Sequence, residues 1–201
     1  MANVIRTIRT SNENDEIIRE EAKKQGVSMN SLINQIIEKY VTTYRLIESF
    51  PCLIIPCEMV KGWLDGMAED FIFGEGAIAG SFVPKHGLFL NKMTPNLENV
   101  LFAMEKRVGQ HSNWFQLQRY KANGKLNLLL RHNLGKKWSI FLNAYYTTLF
   151  EELLKIKVET EVGEKSLEII IPEPIKLNNF NNGKNGHNGI EIGRIQINNN
   201  K

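Results

Sequence analysis

The chain of 201 residues has no uncharged apolar run of about eighteen residues, the length that a membrane-spanning helix requires. Its first residues, MANVIRTIRTSNENDE, have neither an apolar core nor a small-residue cleavage site, so no signal peptide is predicted. Only two cysteines occur, Cys52 and Cys57, in the apolar stretch PCLIIPC. We interpret them as buried thiols in a reducing cytoplasm, with a redox pair or a metal site as the alternatives. These absences predict a cytoplasmic protein without a membrane segment.

Motifs for catalysis are also lacking. The sequence contains no GxSxG, P-loop, GxGxxG, HExxH or CxxC motif. His86, His111 and His132 are scattered and do not have the spacing of metal ligands. We therefore expect no enzymatic activity, no cofactor and no metal ion.

Composition divides the chain into three regions. Residues 1–45 show alternating and then helical periodicity, and residues 50–175 mix apolar runs with turn signals. Residues 176–201 are half asparagine and glycine, 13 of 26, and are predicted to be disordered, although GIEIGRIQI alternates like a strand. The net charge of +3 is too small to indicate nucleic-acid binding without a motif.

The first region begins with a strand pattern followed by a helix. Val4–Thr10 reads VIRTIRT, in which β-branched residues favour a short strand. Capping side chains at 11–14 then introduce a helix predicted from Glu13 to Gln25, and Gly26 ends it.

A second helix is predicted after Ser28, and its apolar stripe is too wide for one chain to cover. The preceding helix is short, and a lone strand of seven residues cannot stand by itself. The pattern therefore predicts a homodimer in which two strands pair antiparallel and four helices enclose one core. The stripe consists of Met29, Leu32, Ile33, Ile36, Ile37, Tyr40, Val41 and Tyr44.

Over residues 1–45 the chain resembles the ribbon-helix-helix repressors of the Arc and MetJ type, because a strand and a helix are followed by GVSMNSLINQIIEKYV. The resemblance implies a prokaryotic transcription regulator that inserts a two-stranded ribbon into the major groove of double-stranded DNA. It also implies a location on the nucleoid and a homodimer that forms higher oligomers on DNA.

The same resemblance, aligned through Gly26, assigns the two faces of the ribbon. Arg6 and Thr10 stand where the family prefers apolar residues, so Arg6 either reaches a phosphate or the register is shifted by one. Arg9 is the candidate for a bidentate contact to guanine and Thr7 for a smaller base contact. Ile5, Thr7 and Arg9 are assigned to the groove face, and Arg6, Ile8 and Thr10 to the core face.

Two further features bear on DNA binding. Ser28, Met29 and Asn30 lie where the second helix begins, and free backbone amides there favour a phosphate. The first 12 residues contain Arg6 and Arg9 but no carboxylate, which argues against a module that only dimerises.

The second region is predicted to be an α+β domain on an antiparallel sheet. Its glycine-rich part, 74–87, is predicted to be loop-rich, and Lys121-Ala-Asn-Gly124 is a hairpin signal. The predicted elements are a buried strand at Cys52–Pro56, helices at Glu58–Asp70, from Thr94-Pro95 and at Lys136–Leu154, and hairpins of Trp114–Tyr120 with Lys125–His132 and of Ile156–Val162 with Ser166–Ile171.

One basic cluster is a candidate effector site. Arg131, His132, Lys136 and Lys137 fall where a strand leads into a helix N-terminus, which favours a small anionic effector. In the alternative, the residues around Asn133 make a turn and the charges are merely solvated. The sequence as a whole thus predicts a DNA-binding regulator with an effector-sensing or oligomerisation domain. An antitoxin that binds DNA and a partner toxin is the alternative, and an enzyme tethered to DNA is disfavoured.

Overall fold

The structure is a computed structural model, and it describes residues 4–45, 48 and 53–172. Cys52 and the Asn/Gly-rich segment 176–201 lie outside the described residues. Within the described part the chain is a mixture of helices and one antiparallel four-stranded sheet, which confirms the predicted α+β class. None of the helices found there combines the length and the apolar character needed to cross a membrane.

The first helix, α1, spans Asn12–Gln25, and its ends lie where the capping residues predict them. The Ser11 side chain accepts a hydrogen bond from the Asn14 backbone N–H at 3.2 Å. Gly26 adopts a left-handed conformation with φ of 66°, and its N–H bonds back to the last turn.

The second helix, α2, spans Met29–Lys39 and continues as a π-helical segment, π1, at Tyr40–Tyr44. Ser28 caps it by accepting a hydrogen bond from the Ser31 N–H at 3.1 Å. This confirms the second predicted helix.

The strand predicted at Val4–Thr10 does not form in the single chain. The residues before α1 have no regular secondary structure, and all of 4–10 are exposed. A strand is stabilised by hydrogen bonds to a neighbouring strand, and no described part of this chain supplies one for this segment. The β-branched pattern therefore has no partner here.

Helices α3 (Cys57–Asp65) and α4 (Glu69–Leu90) correct two predictions. The helix predicted at Glu58–Asp70 is divided, because α3 ends at Gly66 and α4 starts three residues later. The loop predicted for residues 74–87 is wrong, since that whole stretch lies inside α4.

The buried strand predicted at Cys52–Pro56 is also wrong in its described part. Leu53 and Ile54 are each 86% exposed and belong to no strand. Cys57 is an exposed free thiol, so the buried-thiol interpretation fails for it. The error arises because an apolar run was taken as core, whereas the core of the described chain is built farther along.

Helix α5 spans Leu97–Phe102 and continues as a second π-helical segment, π2, at Ala103–His111. The Asn96 side chain caps α5 by accepting from the Asn99 N–H at 2.8 Å, so the helix begins after Asn96 and not at the predicted Thr94-Pro95. Four side chains of α5 and π2 are buried and form one apolar face: Leu97, Val100, Leu101 and Met104.

Two hairpins, separated by a long helix, form the sheet. The strands run in the order β1-β2-β4-β3, with antiparallel neighbours throughout. The first hairpin turns at Asn123 and Gly124, whose φ angles of 51° and 73° fit the type I′ turn that such a pair favours. The elements are β1 (Gln116–Ala122), β2 (Lys125–Arg131), α6 (Lys136–Leu154), β3 (Glu159–Val162) and β4 (Ser166–Ile171).

The core lies between one face of the sheet and α4, α5 and α6. Alternate residues of β2 and β4 point into it, among them Leu128 and Ile169, which are fully buried. Leu142 and Phe150 of α6 are also fully buried and belong to the same apolar cluster. The end of the sheet where β2 stops and β4 begins is therefore held on a rigid core.

Candidate functional sites

The first candidate surface consists of residues 4–10. Ile5 is 90% exposed and Ile8 is 64% exposed, and Thr7 is exposed beside them. Among the described residues, no side-chain hydrogen bond or ion pair involves Arg6 or Arg9. The two guanidinium groups are thus available, on a segment that has no carboxylate of its own.

The apolar stripe of α2 and π1 is only partly covered by the single chain. Leu32 is buried at 6% exposure, but Ile36, Ile37 and Tyr40 are each about half exposed. The stripe continues onto Val41, which is 42% exposed. An exposed apolar face of this kind is a common property of surfaces that contact another protein.

The start of α2 presents backbone amides beside a polar surface. The Ser28 hydroxyl is already engaged by the Ser31 N–H, and no acidic residue lies in the first turn. Met29 is half-buried and Asn30 is exposed. The predicted phosphate contact would therefore use the free amides of this turn more than the Ser28 hydroxyl.

A contact between π1 and π2 connects the N-terminal helices to the α+β part. The His111 Nδ1 lies 2.6 Å from Thr43 Oγ1 and 3.3 Å from Thr42 Oγ1. Burial, and secondarily the nearby Lys39 charge, lowers the pKa of His111, which favours the neutral ring. Sequence reasoning missed this site because His111 was only one of several scattered histidines.

The structure separates the predicted basic cluster. The Lys136 ammonium donates to the Val162 carbonyl at 2.8 Å, which attaches the start of α6 to β3. The Lys137 ammonium donates to the carbonyls of Asp65 and Met67, at 2.9 and 2.6 Å. Both lysines therefore connect α6 to neighbouring segments and are not directed together at a ligand.

His132 is a buried neutral residue. Its Nδ1 accepts a hydrogen bond from the Leu134 N–H at 3.3 Å, so the ring proton is on Nε2 and is donated to Ser139 Oγ at 2.9 Å. Burial lowers the pKa of His132 to about 4. Because both ring nitrogens are engaged and the ring is uncharged, His132 orders the β2–α6 turn and does not supply a positive charge.

Arg131 alone of that cluster remains available, and it borders a cavity of about 1040 Å³ at the end of the sheet. Arg131 and Ser166 are direct partners in the pairing of β2 with β4. Lys165, which precedes Ser166, also lines the cavity, as do Trp114 and Phe115 before β1. Sequence reasoning missed Lys165 because it joins Arg131 only through strand pairing.

Within the described ranges, no group of three or more histidine, cysteine, aspartate or glutamate side chains is placed to hold a metal ion. Comparisons of the chain with protein-family profiles, with curated proteins and with solved structures find no match.

Proposed function

We propose that this chain is a homodimeric, sequence-specific DNA-binding transcription regulator of the ribbon-helix-helix type, acting on the nucleoid in the cytoplasm. The proposal is supported by the N-terminal region, whose strand pattern has no partner strand and whose apolar stripe is exposed in the single chain. An exposed, arginine-bearing segment without a strand partner precedes two capped helices, and the second helix exposes an apolar stripe. One arrangement of two copies would satisfy both features.

A second copy of the chain would both pair with the strand segment and cover the apolar stripe. Residues 4–10 would gain backbone hydrogen bonds by pairing antiparallel with the same segment of a second copy. The half-exposed side chains of Ile36, Ile37 and Tyr40 would be buried against their counterparts across the twofold axis. Each buried aliphatic side chain contributes roughly 1.5–3 kcal/mol when fully covered, so the stripe would supply most of the stability of the dimer.

A paired ribbon would present its outer face to the major groove. Arg9 would contact guanine, with Thr7 and Ile5 beside it, and Arg6 would reach a phosphate. The amides at Met29 and Asn30 would hold the adjacent phosphate backbone, positioned by the Ser28 cap. The α+β part would then sense an effector or extend the assembly.

An antitoxin that binds a partner toxin is the second candidate, and one observation favours it. The outer face of α4 is apolar and exposed, with Phe71 at 55%, Ile78 at 64%, Phe82 at 56% and Phe89 at 77%. A surface of this kind fits a protein partner. Co-purification of a small protein with the chain from its native cells would support this function.

Selection of bound DNA from a random pool by the full chain tests the proposed function. We expect enrichment of a short site with twofold symmetry, because a homodimer reads two half-sites. Recovery of unenriched sequences would contradict sequence-specific binding. A selected site without twofold symmetry would contradict the ribbon arrangement.

A further inference from the structure

The cavity at the end of the sheet has the size and position of a small-molecule site. Its volume of about 1040 Å³ is just above the roughly 300–1,000 Å³ that is typical of ligand pockets. Its walls come from the start of α3, π2, the π2–β1 connection, the start of β1, the end of β2, the β2–α6 turn and the start of β4. These segments are fixed by the sheet register and by the buried His132–Ser139 hydrogen bond.

Two of the three charged side chains in the described lining of this cavity are cations. Arg131 and Lys165 both line it, and no hydrogen bond or ion pair of either side chain is found among the described residues. Glu105 is the single carboxylate in the described lining, and it is already paired with Arg119. Among the described residues of the lining, an anion entering the cavity would therefore meet two unpaired cations and no free carboxylate.

The described lining also includes apolar and aromatic residues. Trp114 and Leu117 line the cavity and are half-buried, and Trp114 packs edge-on against Trp138 with ring centroids 5.2 Å apart. Trp114 is held further because the Trp138 indole N–H donates to its carbonyl at 3.2 Å. Asn113 and Asn133 also line the cavity.

We infer that this cavity binds a small organic anion with an apolar body, whose carboxylate or phosphate is held by Arg131 and Lys165 and whose body packs on Trp114 and Leu117. A guanidinium binds carboxylate and phosphate in the same forked geometry, so the two head groups share one recognition chemistry. This site deepens the proposed function by naming the class of the effector. Only its regulatory consequence rests on DNA binding.

Direct titration of the full chain tests the inference without DNA. The probes are phenylacetate, phenyl phosphate and the neutral 2-phenylethanol, measured by isothermal titration calorimetry. We expect at least one of the two anions to bind at least tenfold more tightly than 2-phenylethanol, and the tighter anion identifies the preferred head group. Equal binding of the neutral probe and the anions, or no binding of either anion, would overturn the inference.

Matched variants assign the head-group contact. In the double variant Arg131→Gln, Lys165→Gln, the affinity for the anion is expected to fall at least tenfold. The control Lys61→Gln, Lys157→Gln removes the same charge from exposed positions outside the cavity lining, and it should bind as the wild type does. The single variant Arg131→Lys, which keeps the charge but not the fork, should show an intermediate loss.

Two outcomes of these variants would refute the assignment: equal binding by the wild type and the cavity double variant, or equal losses in the cavity and control variants. Circular dichroism confirms that each variant is folded, which the exposure of both cavity cations favours. Because DNA is absent, a negative titration leaves the DNA-binding proposal untouched. A failed DNA selection likewise leaves the anion site untouched.

Discussion

The His111 ring nitrogen Nδ1 lies 2.6 Å from the hydroxyl of Thr43, which is itself buried at 6% exposure. This contact joins π2 to π1, the continuation of the helix that carries the apolar stripe. The same π2 segment contributes Glu105, Gly109 and Gln110 to the wall of the cavity. One π-helical segment therefore touches both candidate sites, and π-helical turns often occur at functional positions.

A double-mutant cycle between Thr43→Val and His111→Phe is expected to give a coupling free energy of about 0.5–1.5 kcal/mol, the net value of a hydrogen bond. Urea unfolding of the full chain measures it. The cycle of Thr42→Val with His111→Phe is the control. Thr42 lies 3.3 Å from the ring and donates to its own helix at Glu38, so its coupling should be smaller. Equal coupling in the two cycles would contradict the assigned contact.

Local residues were sufficient to predict several ends and turns of the fold. Ser11 and Gly26 delimit α1, and the Asn123-Gly124 pair sets the first hairpin, because each of these signals acts within a few residues. The glycines of α4 were misread because their role depends on a helix far along the chain. A Cβ on Gly76 would lie 2.6 Å from the Phe141 carbonyl oxygen, and one on Gly80 would lie 2.8 Å from the Tyr145 Cα.

Alanine at two glycines of α4 should therefore have opposite effects. Gly80→Ala should lower the free energy of unfolding by about 1–3 kcal/mol or more, because the added methyl collides with the α6 backbone. In Gly74→Ala, in the same helix, the added methyl meets nothing within 4 Å. This variant should raise the free energy of unfolding by about 0.5–1 kcal/mol, because alanine has the higher helix propensity. Thermal unfolding measures both, and a similar change in the two variants would contradict the close packing of α4 on α6.

In the candidate sites too, residues close in the sequence could be predicted and contacts between distant segments could not. Arg131 was identified because a strand end beside a helix start is visible in the sequence. Lys136 and Lys137 were grouped with it by proximity in the chain, although their partners are carbonyls on other segments. Lys165 could not be found in this way, since it depends on which strand pairs with β2. Sequence patterns predict elements, whereas strand pairing and helix packing determine which side chains meet.

Burial of His132 predicts acid sensitivity. Its pKa lies near 4 in the folded chain, against 6.5 ordinarily, so the native state binds fewer protons than the unfolded state between these values. The contribution of His132 to the free energy of unfolding is therefore complete above pH 6.5 and is lost as the pH falls towards 4. A pKa difference of one unit corresponds to about 1.4 kcal/mol, so the lowered pKa of His132 contributes roughly 3 kcal/mol to the free energy of unfolding.

Urea unfolding of the wild type and of His132→Gln from pH 7.5 to pH 4.5 isolates this contribution from that of the carboxylates. The variant lacks the titrating group, so the stability difference between the two proteins should shrink as the pH falls. A difference that stays constant over this range would contradict the lowered pKa, because His132 would then bind protons equally in the folded and unfolded states.

Charge on the apolar stripe should abolish dimerisation. Ile36→Lys would place an ammonium at the seam between two copies and is expected to cost roughly 3–5 kcal/mol. Gln35→Lys is the matched control, since Gln35 is the adjacent exposed residue of the same helix and lies off the stripe. Sedimentation at micromolar concentration should show a dimer for the wild type and the control but not for Ile36→Lys. A wild-type monomer, or identical behaviour of the two variants, would contradict the dimer.

Base reading by the ribbon should depend on Arg9. Arg9→Ala is expected to reduce the discrimination between a selected site and a scrambled one by about 1–3 kcal/mol, because it removes a bidentate contact to guanine. Arg19→Ala removes the same charge from α1, where Arg19 is paired with Asp15, and should leave the discrimination unchanged. Fluorescence anisotropy with both DNA duplexes at one fixed salt concentration measures each ratio. If Arg9→Ala discriminates as the wild type does while Arg6→Ala does not, the ribbon register is shifted by one residue, and Arg6 is the base-reading side chain.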